Sequence, residues 1–406
     1  MESATITAQA PSAPLQEYLL PISSPYDPTK NLSPVTVIAR NFAFLDPEGD
    51  KVGSRDLANS IPISPSLRRV PWPSNLPGCR QNKHWRIAER MTRDLFEAIY
   101  KHVDQAQDAS NKLPLQLYEV GKQKMHKEAE LVGTAVKSTA YMFPDASPAR
   151  AGMIAQSMLL IFLHDDKEYL AKSFKDVVEE FTQDAGSTIT NSFMIAWKQA
   201  QSNIGESSQD YIHSLLAGFI DEDPILGKKL LEGAFLWVDH TKEYESVPTE
   251  SLREYLDYRS KDIGTDLLLA QAAFAADISL SEAERGIFEK FIGLFADHIS
   301  LTNDIYSFEK EWNEHVSKGA YLVNGVDVVR RLHNIPVSAA KQFICEEILK
   351  LEQLLALEID HLKQDVGLNK AQERFGEALA LCLAGHIFYS ATNGRYGGAD
   401  SAATVE

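Results

Sequence analysis

Asn303, Ser307 and Glu311 stand at i, i+4 and i+8 in the run Asn303-Asp304-Ile305-Tyr306-Ser307-Phe308-Glu309-Lys310-Glu311. On a helix these three residues rise along one face at successive turns. An amide oxygen, a hydroxyl and a carboxylate on one stripe form a set of hard oxygen donors. Such a set suits Mg²⁺, which takes oxygens in near-octahedral geometry and keeps places for water and phosphate oxygens. Lys310 lies close to the same stripe and carries a compact charge able to reach a phosphate. The plain alternative is an amphipathic helix whose polar residues align by accident.

A second cluster calls for the same chemistry. The apolar run Met158-Leu159-Leu160-Ile161-Phe162-Leu163 leads straight into His164-Asp165-Asp166-Lys167-Glu168. Apolar residues feeding clustered carboxylates make a poor solvated surface and a good buried helix that opens its polar end into a metal site. Asp165 and Glu168, at i and i+3, share a helix face.

The first run resembles the NSE metal motif, NDxxSxxKE, of class I terpene synthases, with every defined position filled, and the chain looks most like the fungal sesquiterpene cyclases. The second cluster resembles that family's Asp-rich motif, DDxx(D/E), in one of two registers. With Asp165 and Asp166 in the first two positions, the fifth is Tyr169, which cannot ligate as a carboxylate does. With His164 first, Asp165 is second and Glu168 fifth. This register keeps the acidic pair at helical spacing and is the preferred one. It leaves a histidine where the family has Asp, and His164 then reads as a hydrogen-bonding neighbour, because Mg²⁺ prefers oxygen.

Two further segments resemble the family in the right order. Arg259, in Tyr258-Arg259-Ser260-Lys261-Asp262-Ile263-Gly264, lies 44 positions before Asn303, where the family has an arginine that senses diphosphate. Asp262, Ile263 and Gly264 match the helix break that follows it, and glycine is a natural hinge there. Asn393-Gly394-Arg395-Tyr396 resembles the family's terminal Arg-Tyr pair, a forked donor and a hydroxyl donor for phosphate.

The resemblance implies an all-α fold: a single class I terpene synthase-like bundle of about ten helices around an apolar pocket, with an irregular N-terminal extension. It implies Mg²⁺, as three ions with bound diphosphate, held by Asp165, Glu168, Asn303, Ser307 and Glu311. Arg259, Lys310, Arg395 and Tyr396 would bind the diphosphate and stabilise it as it leaves. The substrate would be farnesyl diphosphate, cyclised to a sesquiterpene hydrocarbon or alcohol. Phe162 and Tyr389 are candidates for the pocket wall, Tyr389 lying on one helix with Tyr396 if that helix is continuous; Trp197, Trp237 and Trp312 are weaker ones. The rival enzyme is a prenyl-chain-elongating synthase, which carries a second Asp-rich motif where this chain has Asn303 to Ser307. The rival from another class is a non-catalytic helical scaffold derived from the fold, which the His164 position favours and the filled NSE motif disfavours.

A strongly acidic composition sits awkwardly with a diphosphate ligand unless acids hold Mg²⁺ and the metal holds the phosphate. The net charge of −17 over 406 residues argues against nucleic acid and anionic membranes as partners. Cys79, Cys345 and Cys382 show no CxxC spacing and suggest neither a zinc site nor a disulfide framework. No apolar run reaches membrane-spanning length and no signal peptide is evident, so a soluble cytoplasmic chain, monomer or homodimer, is expected. Twelve of the eighteen prolines precede Arg80. Residues 1–80 read as a Pro/Ser-rich, partly disordered extension in which Val35 to Arg40 and the Trp72 region are apolar enough to pack. Residues 81–396 read as the catalytic domain, helical from about Lys83, and 397–406 as a flexible tail. Breaks are expected near Pro144-Asp145, Asp223-Pro224, Val247-Pro248, Asn324-Gly325 and Ile335-Pro336.

Overall fold

The computed structural model describes Leu19 and residues 40–46, 58–108, 114–165, 208–240 and 250–396. Among these, twelve α-helices follow a short ribbon. The ribbon is β1 (Ser60–Ile63) against β2 (Cys79–Asn82), antiparallel, with Ser60 opposite Asn82 and Ile63 opposite Cys79. The helices are α1 (Trp85–Asp108), α2 (Pro114–Met142), α3 (Pro148–Asp165), α4 (Ser208–Glu222), α5 (Leu226–His240), α6 (Leu252–Asp262), α7 (Thr265–Ala275), α8 (Glu282–Gly286), α9 (Glu289–Lys318), α10 (Gly325–His333), α11 (Val337–His361) and α12 (Lys370–Thr392). A one-turn 3₁₀ helix, Gly394–Tyr396, follows α12.

The expected breaks fall where loops or caps are found. Pro144-Asp145 separates α2 from α3, Asp223-Pro224 separates α4 from α5, and Ile335-Pro336 separates α10 from α11. Asn324 caps α10, its Oδ1 accepting the Val326 N–H at 2.9 Å. Val247-Pro248, Val35 to Ala39 and the tail from Gly397 lie outside the described residues.

The ribbon, which the sequence pattern does not announce, fastens the proline-rich segment to the body. Asn82 donates to the carbonyls of Pro144 and Ala146 at 2.9 and 2.8 Å, filling the acceptors left by the α2–α3 turn. Glu352 of α11 accepts from Ser74 Oγ at 2.6 Å and from the Asn75 N–H at 2.5 Å. Ile61, Ile63, Val70, Leu76 and Cys79 are buried, so residues 60–82 complete the core rather than trail from it. All three cysteines are buried free thiols.

Helix α9 runs through the middle. Its interior carries Ser, Thr, Asn and Asp, poor helix formers costing up to about 0.7 kcal/mol each relative to alanine. Burial outweighs that: Phe291, Phe295, Ile299, Ile305 and Phe308 are all buried, each worth about 1.5–3 kcal/mol against exposure. They pack against α11 and α12. Helix α12 runs alongside α9 in the same sense: Phe288, just before α9, meets Phe375 near the start of α12 with ring centroids 5.3 Å apart, and Asn303, midway along α9, meets Tyr396 just past the end of α12. Among the described residues no helix is long and apolar enough to cross a membrane.

Candidate active site and metal centre

The site starts from the break between α6 and α7. Gly264 lies in the left-handed region at φ 76°, where side chains are strained. A Cβ there would meet Trp237 Cδ1 at 3.0 Å, and Trp237 Nε1 donates to the Asp262 carbonyl at 2.8 Å. Trp237, expected as a pocket aromatic, thus closes the break from behind. Stopping α6 at Asp262 leaves Arg259 in its last turn, aimed at α9.

Arg259 is buried and joins the motif directly. Its Nη2 donates to Asn303 Oδ1 at 2.8 Å, its Nε to Asp304 Oδ1 at 3.2 Å, and its Nη1 to Asp262. Burial alone would weaken its hold on the proton; Asp304, Tyr255, Asp262 and Glu311 more than offset this and raise it well above the ordinary arginine value. It is a fixed charge.

Asp304 is the hub beneath the stripe. Fully buried, it also accepts from Tyr255 Oη at 2.6 Å and from the Gly325 N–H at 2.8 Å. Burial lifts its carboxyl above the usual range, while Arg259, Tyr255 and Gly325 pull it back. Gly325 is required by close approach, since a Cβ would stand 2.8 Å from Asp304 Oδ2. Asp304 fills the second defined position of the motif, but it was not among the predicted metal ligands. The signal for its partner was the Asn324-Gly325 break; nothing in the sequence marks Tyr255.

Above the hub lies the predicted stripe. Ser307 Oγ donates to Asn303 Oδ1 at 3.5 Å. Asn303 Nδ2 donates to Tyr396 Oη at 2.8 Å; because Arg259 can only donate, its contact fixes which end of the Asn303 amide is oxygen. Glu311, half-buried, accepts from Asn324 Nδ2 at 2.9 Å. Burial pushes its carboxyl up to about 7, with Arg259 opposing and Asp304 adding to the rise. One arginine faces three carboxylates here, an excess of negative charge that favours a divalent cation.

The other predicted residues arrive from two sides. Arg395 places its guanidinium 5.4 Å from the ring centre of Phe162, which is buried one turn before the end of α3. Asn393 holds the terminal turn in place, its Oδ1 accepting from the Arg395 N–H at 3.0 Å and from Thr134 Oγ1 of α2 at 3.2 Å. The α12 helix is not continuous to Tyr396: it ends at Thr392, Asn393 is extended, and the chain turns back. The Tyr389 ring therefore meets Tyr396 edge-on, with centroids 6.1 Å apart. On its other side Tyr389 stacks on His386 at 6.2 Å, a buried imidazole that burial, His298 and Arg259 hold down to about 3, hence neutral. Lys310 is paired with Glu314 at 3.3 Å and does not touch the cluster. Trp312 stacks on Phe308. Asp165 is the last residue of α3; the side chains of His164 and Asp165, and residues 166–200 with Asp166, Glu168, Tyr169 and Trp197, lie outside those described.

The described donors fit Mg²⁺. All three stripe atoms are hard oxygens, and two oxygens adjacent on an Mg²⁺ octahedron stand about 3 Å apart, close to the 3.5 Å between Asn303 Oδ1 and Ser307 Oγ. Positive or N–H donors, Arg259 and Asn324, already point at these oxygens.

Comparison with known proteins points to metal binding in the same part of the chain. Residues 231–353, which run from α5 into α11, match the family described as terpene synthase family 2, C-terminal metal binding. Terpene cyclase 6 of Gibberella fujikuroi is 29% identical over 386 residues, covering 91% of this chain and 96% of that protein. Terpene cyclase aneC of Aspergillus aculeatus is 28% identical over 375 residues, covering 91% and 80%. Other matched relatives are named as diterpene and sesterterpene synthases. The fold resembles the crystal structure of aristolochene synthase from Penicillium roqueforti, with a TM-score of 0.53 at 20% identity, over 73% of this chain and 94% of that one. These matches are to terpene synthases and cyclases, and the similarity to the curated relatives runs along most of the chain. Its homologues are fungal terpene cyclases, and residues 231–353 carry the family's C-terminal metal-binding region.

Proposed function

We propose that this chain is a Mg²⁺-dependent cyclase that ionises farnesyl diphosphate, releases diphosphate and closes the resulting carbocation into a sesquiterpene hydrocarbon or alcohol. The observation that carries this reading is the convergence on Asn303: Arg259 from α6 and Tyr396 from the C-terminal turn both bond to one amide of the predicted metal stripe. Residues far apart in sequence meet where metal and leaving group would meet.

Asn303, Ser307 and Glu311 would hold metal on one side, and Asp165 and Glu168 on the other. Bound Mg²⁺ supplies Lewis-acid stabilisation of the departing diphosphate. Arg259, Arg395 and Tyr396 would supply preorganised donors to its oxygens, worth most in a site closed to water, and Lys310 would add its charge on exchanging Glu314 for the diphosphate. The Phe162 and Tyr389 rings offer π faces to a cation in the pocket. The Arg395–Phe162 contact supports bringing the acidic end of α3 to the same mouth.

A longer prenyl diphosphate is the second reading, favoured by the matched diterpene and sesterterpene synthases. Diphosphate release from geranyl, farnesyl and geranylgeranyl diphosphate, each with Mg²⁺ and with chelator, tests both. Metal-dependent release, fastest with farnesyl diphosphate, is the expected result. Preference for geranylgeranyl diphosphate would select the second reading, and no release from any of the three would support the scaffold.

A further inference from the structure

We infer that Asn324 is a positioning residue for the metal stripe of α9, an inference that rests on the metal-binding reading of Asn303, Ser307 and Glu311. Asn324 is almost wholly buried, and both ends of its amide are committed. Oδ1 caps α10 through the Val326 N–H at 2.9 Å, so Nδ2 must face α9. There it donates to the Asp304 carbonyl at 3.0 Å and to Glu311 Oε2 at 2.9 Å, with Ser307 Oγ at 3.5 Å beside them. The amide is thereby docked on the α9 backbone and grips the side chains of two of the three predicted ligands.

The consequence is conformational. Glutamate has a long side chain with much rotamer freedom to lose when it binds a cation. Asn324 holds one carboxylate oxygen of Glu311 and leaves the other for a ligand bond, so part of that ordering is complete before the cation arrives. The neighbouring residue reinforces this, because the Gly325 N–H on Asp304 fixes the start of α10 against the same turn of α9. Preorganisation of this kind raises affinity without adding a contact to the metal.

The test separates the grip from the cap. Serine caps helices about as well as asparagine but is too short to reach Glu311. Mg²⁺ is titrated calorimetrically into wild type and Asn324→Ser in the presence of inorganic diphosphate, and thermal unfolding is measured without metal. The expected result is Mg²⁺ binding weakened by about tenfold in a variant that stays folded at the assay temperature, its unfolding temperature lowered by only a few degrees for the lost bond to the Asp304 carbonyl. Asn324→Thr, which also caps, serves in its place if the serine variant does not fold. Unchanged Mg²⁺ binding in a folded variant, or a loss of binding that merely tracks a loss of stability, would overturn the inference while leaving the metal site intact. Absence of Mg²⁺ binding in the wild type would overturn the metal reading itself, and this inference with it.

Discussion

Replacing Asp304 by asparagine removes one charge and one acceptor from the most constrained point of the site. The carboxylate accepts from Arg259, Tyr255 and Gly325 at once, from opposite sides, with no exposure to water. Asparagine keeps the shape but has a single acceptor oxygen. Its NH₂ must face either Arg259 or the Gly325 N–H, donor against donor. Breaking one partner of a buried ion pair costs about 3–5 kcal/mol. Arg259 keeps Asp262, so the lower figure applies, about 3 kcal/mol by the same principle. At about 2–4 °C per kcal/mol for a large domain, the melting temperature should fall by roughly 6–12 °C. Urea unfolding followed by far-ultraviolet circular dichroism, without metal, reads the free-energy loss, and a thermal scan reads the temperature shift. Glu311→Gln is the control: its oxygen can still accept from Asn324, and it removes a crowded charge, so stability should hold or rise. If Asp304→Asn unfolds within about 0.5 kcal/mol of wild type, the range of ordinary surface substitutions, the hub is not what holds α6, α9 and α10 together.

Other outcomes follow from the same geometry. Asn303→Ala and Glu311→Ala should each abolish metal-dependent turnover while leaving helical content unchanged by circular dichroism; near-normal activity in both would refute the metal stripe. Asp165→Asn should reduce turnover more than Asp166→Asn if the acidic register begins at His164, and the reverse order would select the other register. Glu311 gives a pH dependence with a definite sign. Its folded value of about 7 lies above the ordinary 4.5, so the folded chain holds a proton the unfolded chain has lost, and metal-free stability should decline as pH rises across that window. A cation needs the carboxylate, so Mg²⁺ affinity should rise by up to about tenfold per pH unit and level off near neutrality; calorimetric titration at several pH values would show a flat profile if Glu311 is not a ligand.

Much of the fold was legible because helical periodicity and Gly/Pro punctuation are local signals. The breaks at Gly264 and Asn324-Gly325 fall where those residues permit or cap a turn. The ribbon was not legible: Ser60-Ile61-Pro62-Ile63 is too short and too proline-rich to read as a strand, and the segment is anchored through its own Asn82 and Ser74 to Pro144 and Glu352, partners distant in sequence. The break at Asn393 was missed for a related reason. Its backbone is extended while its side-chain oxygen accepts from Thr134 of α2, so the helix that seemed able to carry Tyr389 and Tyr396 together ends between them. In the site, Asn303, Ser307 and Glu311 announced themselves by spacing. Asp304 stood in the motif without showing that its carboxylate is spent on structure, and Asn324 did not stand out, because it is a cap whose second task depends on a helix thirteen residues back. Lys310 shows the limit of face arguments: it lies by the stripe, yet its ammonium pairs with Glu314 one turn along α9.

The measurement that bears most directly on the proposal is incubation of the purified protein with farnesyl diphosphate, with Mg²⁺ and with chelator, and analysis of the volatile products by gas chromatography–mass spectrometry. A cyclic sesquiterpene hydrocarbon or alcohol that forms with Mg²⁺ and vanishes with chelator is the predicted result. Formation of a longer prenyl diphosphate in the presence of isopentenyl diphosphate, or an equal yield of products with chelator, would contradict it.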